Sequence, residues 1–334
     1  MGTIWILIRQ KVCLIFVAIV FSLILIELFL RSFPQYSIDS YLARGSNFWE
    51  ARSGLHRPSK TLGYEPIPNS APNINSLGMF DIERTIQKQK DIYRIIVLGD
   101  SITAHGSYTH LLEKKLNNNF GYKFEVWNCG VGGYGIEQYL NYLKYKAIKY
   151  NPDMIMIGFC LNDFLQNVPI VYRSSKNDLI EYYNPYSRAN FLMNRFLFRY
   201  SYLYRLLMLK LKVFLTDKIP YYNINKQRDV GSTSLKAIKL IADKKKISLC
   251  AVVFPYLKPL KEYTEDEIKE YKTILDALQM LRIDFLDLHP YFTDLDLYKL
   301  RINTSDKIHP SAKGHEIAAD IISMYLLKKI EISR

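Results

Sequence analysis

YRIIVLGDSIT, Tyr93 to Thr103, is a short apolar run that stops at Gly-Asp-Ser. A run this brief, rich in β-branched residues and closed by turn formers, reads as a strand buried in a sheet. The same rhythm continues downstream. Helical patterns fall at Ser107–Asn118, Ile136–Tyr150, Ser234–Lys245 and Glu265–Leu281, and strands at Lys123–Asn128, Met154–Phe159, Ile247–Phe254 and Ile283–Leu286. A last helix opens at His309-Pro310, with Ile317, Ile321, Ile322, Tyr325 and Leu326 on its apolar side. Strands that alternate with helices predict an α/β domain of parallel strands joined by right-handed crossovers, with its site at the carboxyl ends of the strands. This domain is placed at residues 91–334.

Upstream, Ser32 to Lys90 is polar and holds LGYEPIPNSAPNINSLG, whose Pro, Asn, Ser and Gly favour loop. It reads as a stalk or as a segment wrapping the domain. Before it, Val12 to Leu30 contains no Lys or Arg. As a helix this run spans about 28 Å, close to the hydrocarbon thickness of a bilayer. Its one charge, Glu27, lies four residues before Arg31, the favourable order for a helical ion pair. Arg9 and Lys11 precede the run, and no small-residue cleavage site follows it in ELFLRSFPQYS. Residues 1–31 are therefore read as a cytoplasmic start and an uncleaved single-pass signal anchor, membrane-embedded over residues 12–30, with the bulk of the chain outside in the periplasm or at the cell surface. Arg31 and Arg44 weaken the charge asymmetry behind that orientation.

The chain of 334 residues carries a net charge of +13. Val171 to Val230 holds eleven Lys and Arg against four Asp and Glu, so more than half the excess sits in one stretch. That stretch lies in an insertion, residues 168–230, which interrupts the strand–helix rhythm. Its centre, NFLMNRFLFRYSYLYRLLMLKLKVFL, is apolar on almost every side yet carries Arg195, Arg199, Arg205, Lys210 and Lys212. Those charges argue against a second spanning helix; a lid, a packed subdomain and an interfacial helix all fit. Contact with an anionic surface and simple solvation of the charges carry equal weight, and no nucleic-acid partner is expected. Of the four cysteines, Cys13 lies in the apolar run and Cys129, Cys160 and Cys250 fall near strand ends. Buried thiols are the favoured reading, with a Cys129–Cys160 pairing open if the domain faces an oxidising space.

Four signals fall at predicted strand ends or just before the last helix: VLGDSIT (Val97–Thr103), NCGVGGYG (Asn128–Gly135), CLND (Cys160–Asp163) and DKIHP (Asp306–Pro310). Alone, each has an ordinary explanation: a serine capping a helix, a tight glycine turn, an Asn-Asp loop, a helix start. Together they supply every part of an acyl-transfer site. Ser101 is the nucleophile, and His309 the base that removes its proton. Asp306, three residues before His309, can accept the proton of the far ring nitrogen and fix the tautomer. Three donors suit an oxyanion: the backbone N–H of Ser101, a backbone N–H of the glycine turn, and the Asn162 amide.

These four segments resemble blocks I, II, III and V of the SGNH, or GDSL, hydrolase superfamily. The resemblance runs from about Asp91 to the C-terminus, leaving the insertion uncovered. It implies a flavodoxin-like three-layer α/β/α sandwich with a five-stranded parallel sheet, here preceded by one transmembrane helix. It makes Ser101, Gly133, Asn162 and His309 the four name-giving residues, with Asp306 completing the triad. Gly133 is preferred to Gly132 because GVGGYG then aligns with the family's turn. Cys160 stands where the third block usually has Gly. The upstream ELFLRSF, GYEPIPN and NSLGMF also resemble membrane-anchored bacterial members linked to envelope glycans or lipids.

Rival motifs are weaker. Gly130, Gly132 and Gly135 match a dinucleotide fingerprint, but they follow the second strand rather than the first. His315-Glu316 begins like a zinc-protease motif, yet Ala319 stands where the second histidine belongs. No GxSxG elbow occurs. Neither metal nor cofactor is expected. Three functions remain: an esterase removing acyl groups, O-acetyl above all, from an envelope glycan or lipid; an O-acyltransferase that modifies a surface polysaccharide with the same triad; and a binding protein on this fold. The complete triad counts against the third.

Overall fold

A computed structural model describes residues 2–33, 49–51, 55–59, 61–119, 123–164, 170–173, 179–183, 197, 200–204, 206–207 and 224–332. The chain divides into two compact units, Met1–Ser53 with Val168–Tyr222 and Gly54–Asn167 with Asn223–Arg334.

The second unit is built on five parallel strands: β1 (Ile92–Gly99), β2 (Lys123–Asn128), β3 (Met154–Phe159), β4 (Ser248–Val253) and β5 (Asp284–Asp287), in the order β5-β4-β3-β1-β2. The order reverses next to β1, which pairs with both β2 and β3, Val97 lying opposite Asn128 and Gly99 opposite Gly158. The motifs that end these three strands are thereby brought to one edge of the sheet. Helix α1 (Ser101–Ala104) is a single turn. Helix α2 (Tyr108–Asn119) packs with α6 (Ala312–Ile332), and α3 (Ile136–Tyr145) with α4 (Ile224–Lys245), beside which lies α5 (Glu265–Met280). Right-handed crossovers put the first pair and the last three helices on opposite faces. The fold is thus the expected three-layer flavodoxin-like α/β/α sandwich. Strand β3 is buried along its whole length, as a strand covered on both faces must be.

Two elements differ in extent from the sequence reading. The pattern over 136–150 breaks after Tyr145 into a 3-10 turn, Ala147–Tyr150, which ends on Asn151 in the left-handed region at φ 51°. Helix α4 begins ten residues before the apolar periodicity appears, at Ile224 rather than Ser234. The three buried cysteines are free thiols, as is Cys13; Cys129 faces the sulfur of Met79 at 4.0 Å and Cys250 that of Met154 at 3.7 Å.

Residues 55–90 pack into this unit. They form a hairpin, His56–Ser59 against Gly63–Pro66, and bury Leu62, Tyr64, Ile74 and Met79. Each strand is four residues long and contains a proline, too short to show a period in the sequence. The connection to β1 is held by ions. Arg84, buried, bridges Asp81 and Glu113 at 2.8 Å each and donates to the Val126 carbonyl. Arg94, fully buried within β1, donates to Glu125 at 2.8 Å and to the carbonyls of Thr85, Ile86 and Tyr150, and its guanidinium lies 4.2 Å from the Trp127 ring centre.

The first unit contains the helix Gly2–Ser32, which continues N-terminally through Arg9 and Lys11 because Ile4 to Ile8 offer no breaker. Its Ile8–Ser32 portion, of mean hydropathy 3.0, is long and apolar enough to span a membrane, as a signal sequence also is. Near its end Glu27 takes Arg31 at 2.8 Å. The same carboxylate accepts from the Ser201 hydroxyl and from the backbone N–H groups of Tyr202 and Leu203 at 2.8–3.0 Å. The one charge in the apolar run is therefore satisfied within its own unit. A parallel pair, Trp49–Ala51 with Ile170–Arg173, extended antiparallel by Leu179–Tyr183, completes what is described of the insertion. Arg195, Arg199, Arg205, Lys210 and Lys212 lie outside the described residues.

Arg94 yields a test of the unit's frame. Arg94→Met leaves Glu125 without its counter-charge, with the Trp127 indole N–H still donating to it, and removes the Arg94 donor from three carbonyls, so stability falls by about 3–5 kcal/mol, the cost of breaking one side of a buried ion pair. Urea unfolding of the detergent-solubilised chain reads this; a loss under about 1 kcal/mol removes Arg94 from that role.

Candidate active site

Strand β1 runs out at Gly99, and Asp100 caps the turn that follows, its Oδ1 accepting from the Ile102 N–H at 2.8 Å. The capping role thus falls to Asp100, and the Ser101 hydroxyl is left for other partners. Its Oγ lies 2.8 Å from His309 Nε2 and 3.3 Å from Asp100 Oδ2.

His309 arrives from the far end of the sequence, just before α6. Its Nδ1 lies 2.7 Å from Asp306 Oδ2. Asp306 Oδ1 accepts from the N–H groups of Ile308 and His309 at 2.9 and 3.0 Å, and the Asp306 N–H is in turn held by Asn303 Oδ1. Burial opposes the charge on Asp306, but the two N–H groups and the imidazole outweigh it and hold the carboxyl below its ordinary value. The turn is fastened from outside as well. Lys307 accepts at its carbonyl from the Leu257 N–H at 2.7 Å. Its ammonium reaches Glu267, which also takes Lys258; burial raises Glu267, yet the two lysines pull it down to about 2.

The glycine turn after β2 is clipped onto β1: the Cys129 and Val131 N–H groups donate to the Val97 and Gly99 carbonyls at 2.9 and 3.0 Å. The Asn128 amide donates to the Thr103 carbonyl. Gly130 is required by space, because a Cβ there would lie 2.6 Å from both Ala104 N and Thr103 Cβ. Gly133 sits at φ 79°, where other residues are strained. Gly132 abuts the serine, its Cβ position being 3.7 Å from Ser101 Cβ. Asn162 stands three residues beyond β3, between Leu161 and the buried Asp163. Asp163 fastens that turn: its Oδ2 accepts from the Cys160 N–H and the Tyr139 hydroxyl at 2.9 and 2.8 Å, and its carbonyl from the Ile136 N–H. Cys160 in place of Gly fits as a buried thiol.

All five expected site residues thus fall at the carboxyl ends of the strands or in the turn before α6. The family model of the GDSL-like lipase/acylhydrolases matches residues 95–322, most of the chain. The chain belongs to this family. Solved structures of similar fold include an acetylxylan esterase from Geobacillus stearothermophilus (14% identical, covering 70% of this chain and 94% of that one, TM-score 0.44). A lipase/acylhydrolase from Enterococcus faecalis (15%, 71% and 96%, 0.43) and a GDSL-like lipase from Bacteroides thetaiotaomicron (14%, 74% and 93%, 0.41) are also similar. No curated protein matches the sequence. As a GDSL-type enzyme the protein is a serine hydrolase of ester bonds.

The GDSL site has neighbours that motif reading passed over. His105, exposed at the end of α1, stacks edge-on against Phe80 at 5.1 Å, and its Nε2 lies 3.5 Å from the Cβ position of Gly132. Tyr64 donates its hydroxyl to the Gly132 carbonyl at 2.5 Å. Both Tyr64 and Phe80 come from the stretch read as loop. His315 lies parallel to Tyr108 at 5.9 Å; burial first, and the His309 charge second, bring it down to about 4. Among the described residues no group of three or more His, Cys, Asp or Glu is placed to hold a metal ion.

Two buried acids, Asp100 and Asp163, flank the end of the sheet that carries Ser101. Burial raises Asp100 to about 6, against the Ile102 N–H and the His309 charge, which lower it. Burial and the charge of Asp100 push Asp163 well above its ordinary value. An unfolded Asp100 titrates near 3.8. Between that value and about 6 the folded protein holds a proton that the unfolded chain lacks, so ionising Asp100 costs stability above pH 6 and nothing below about pH 4. Asp100→Asn keeps the acceptor for Ile102. It is expected to raise the melting temperature at about pH 8, with the gain shrinking through about pH 6 and vanishing near about pH 4. Melting curves across that range check it; a gain independent of pH excludes linkage to this carboxyl.

Proposed function

We propose that the protein removes acyl groups, O-acetyl above all, from an envelope glycan or lipid through an acyl-enzyme on Ser101. The observation that carries this is the aligned pair of contacts, Ser101 Oγ to His309 Nε2 at 2.8 Å and His309 Nδ1 to Asp306 Oδ2 at 2.7 Å. In the first half-reaction Ser101 Oγ attacks the acyl carbonyl carbon while His309 Nε2 takes its proton. The carbonyl oxygen becomes negative and is met by the N–H groups of Ser101 and Gly133 and the Asn162 amide. His309 then returns the proton to the departing alcohol oxygen. In the second half, water attacks the acyl carbon while His309 takes its proton; His309 then gives that proton to Ser101 Oγ as the acyl–oxygen bond breaks, and the carboxylic acid leaves and ionises. Asp306, held ionised, steadies the imidazolium in both halves. A sugar hydroxyl in place of water gives O-acyl transfer by the same steps.

Wild type is expected to take up a fluorophosphonate and hydrolyse a short-chain aryl ester, and Ser101→Ala to do neither. Asn162→Ala lowers kcat and kcat/KM together by about 10²–10³ with KM nearly constant, as loss of a transition-state donor does. Labelling of Ser101→Ala at the wild-type level ends the proposal, and a rise in KM at constant kcat removes Asn162 from the oxyanion. Product analysis with an added sugar acceptor separates transfer from hydrolysis.

The N-terminal helix is proposed to stay as an anchor, with the catalytic unit outside the cytoplasm. The satisfied Glu27–Arg31 pair at the helix end and the apolar length before it support this. The full-length protein is expected to resist carbonate extraction and to keep Met1 to Leu30 in its mature form. A mature N-terminus just after residue 30 refutes the anchor.

A further inference from the structure

The planar peptide between Gly132 and Gly133 carries the Gly132 carbonyl on one side and the Gly133 N–H on the other. Whatever fixes the carbonyl therefore fixes the direction of the N–H. The carbonyl is fixed by Tyr64, whose hydroxyl donates to it at 2.5 Å. Tyr64 is 0% exposed. It is also gripped in return: the Tyr134 hydroxyl donates to the Tyr64 carbonyl, and the two rings pack edge to face at 5.0 Å. Tyr134 belongs to the glycine turn itself, its N–H bonding the Val131 carbonyl.

We infer that Tyr64, from the hairpin upstream of the family-matched residues, is a positioning residue that holds the 132–133 peptide with its N–H toward the developing oxyanion. The inference rests on the proposed acyl transfer at Ser101. Two glycines in succession offer no steric resistance to a peptide flip, which changes only ψ of the first and φ of the second. Gly132 is buried, so without Tyr64 its carbonyl lacks this donor, at a cost that favours rotation toward another partner. A flipped peptide presents oxygen where the N–H belongs. A hydroxyl on the carbonyl also polarises the N–H at the other end of the unit.

The test compares Tyr64→Phe with wild type and with Tyr134→Phe in the full-length protein, using an aryl ester and its thiono analogue. The sulfur of a thiono ester accepts hydrogen bonds poorly, so the ratio of the two rates reports the oxyanion site alone. For Tyr64→Phe, kcat on the oxygen ester is expected to fall by at least about threefold, the effect of one neutral hydrogen bond. The upper bound is about 10²–10³, the loss of a whole donor. KM is unchanged and the oxygen-to-sulfur rate ratio falls by the same factor as kcat. Tyr134→Phe, which keeps the ring and removes only the hydroxyl that grips the Tyr64 carbonyl, lowers that ratio by a smaller factor than Tyr64→Phe does. Ser101-dependent turnover with an unchanged ratio in Tyr64→Phe overturns the inference while leaving the acyl-transfer reading intact. Wild-type turnover that survives Ser101→Ala overturns both.

Discussion

The site depends on a hydrogen bond between residues 208 positions apart, Ser101 and His309. Closing a loop of that length costs about 5 kcal/mol of chain entropy, whereas one such bond contributes about 0.5–1.5 kcal/mol. The bond cannot assemble the site; it can only be made where the fold has already brought the partners together. That work falls to the sheet. Gly99 of β1 lies opposite Gly158 of β3, and Val97 opposite Asn128 of β2, so the serine, the asparagine and the glycine turn leave adjacent strands at one level. Helix α6, packed on α2, brings in the histidine turn. The Leu257 N–H on the Lys307 carbonyl then sets its height.

The same burial that fixes these turns creates an electrostatic problem beside Ser101. Asp100 and Asp163 are both sealed from water, and the charge of Asp100 adds to the cost of ionising Asp163. Both nonetheless serve as backbone acceptors that shape the loops carrying Ser101 and Asn162. Asp306 is the opposite case. It is partly exposed, with its charge held by two N–H groups and an imidazole, so it stays an ionised carboxylate beside His309. The environments of the three acids thus separate the two that shape loops, Asp100 and Asp163, from the one paired with His309.

The sheet was legible because each of its strands is an apolar run bounded by turn residues, and the four motifs because chemistry dictates their residue types and chain topology their strand-end positions. Illegible features have specific physical causes. The first ten residues of α4, Ile224 to Thr233 in sequence INKQRDVGST, are mostly polar and contain a glycine, so no period appears there. Arg94 looks like a stray charge in a strand; only the structure shows three carbonyls, a carboxylate and an indole converging on it. Tyr64 stands in GYEPIP, where glycine and proline argue for loop. Its role is set by a carbonyl 68 residues away in sequence, which no local signal encodes.

Residues 55–90 therefore belong to the site as much as to its surroundings. Tyr64 covers the back of the glycine turn, and Phe80 packs on His105 beside it. An exposed Gly132 carbonyl could bond to water in either orientation of its peptide, and nothing would choose between them. Covered, it has one good partner, and the choice of partner fixes the orientation of the N–H on the other side. With the proposed role of the Gly133 N–H, this is how a glycine pair, the least constrained dipeptide available, would hold a donor in one direction.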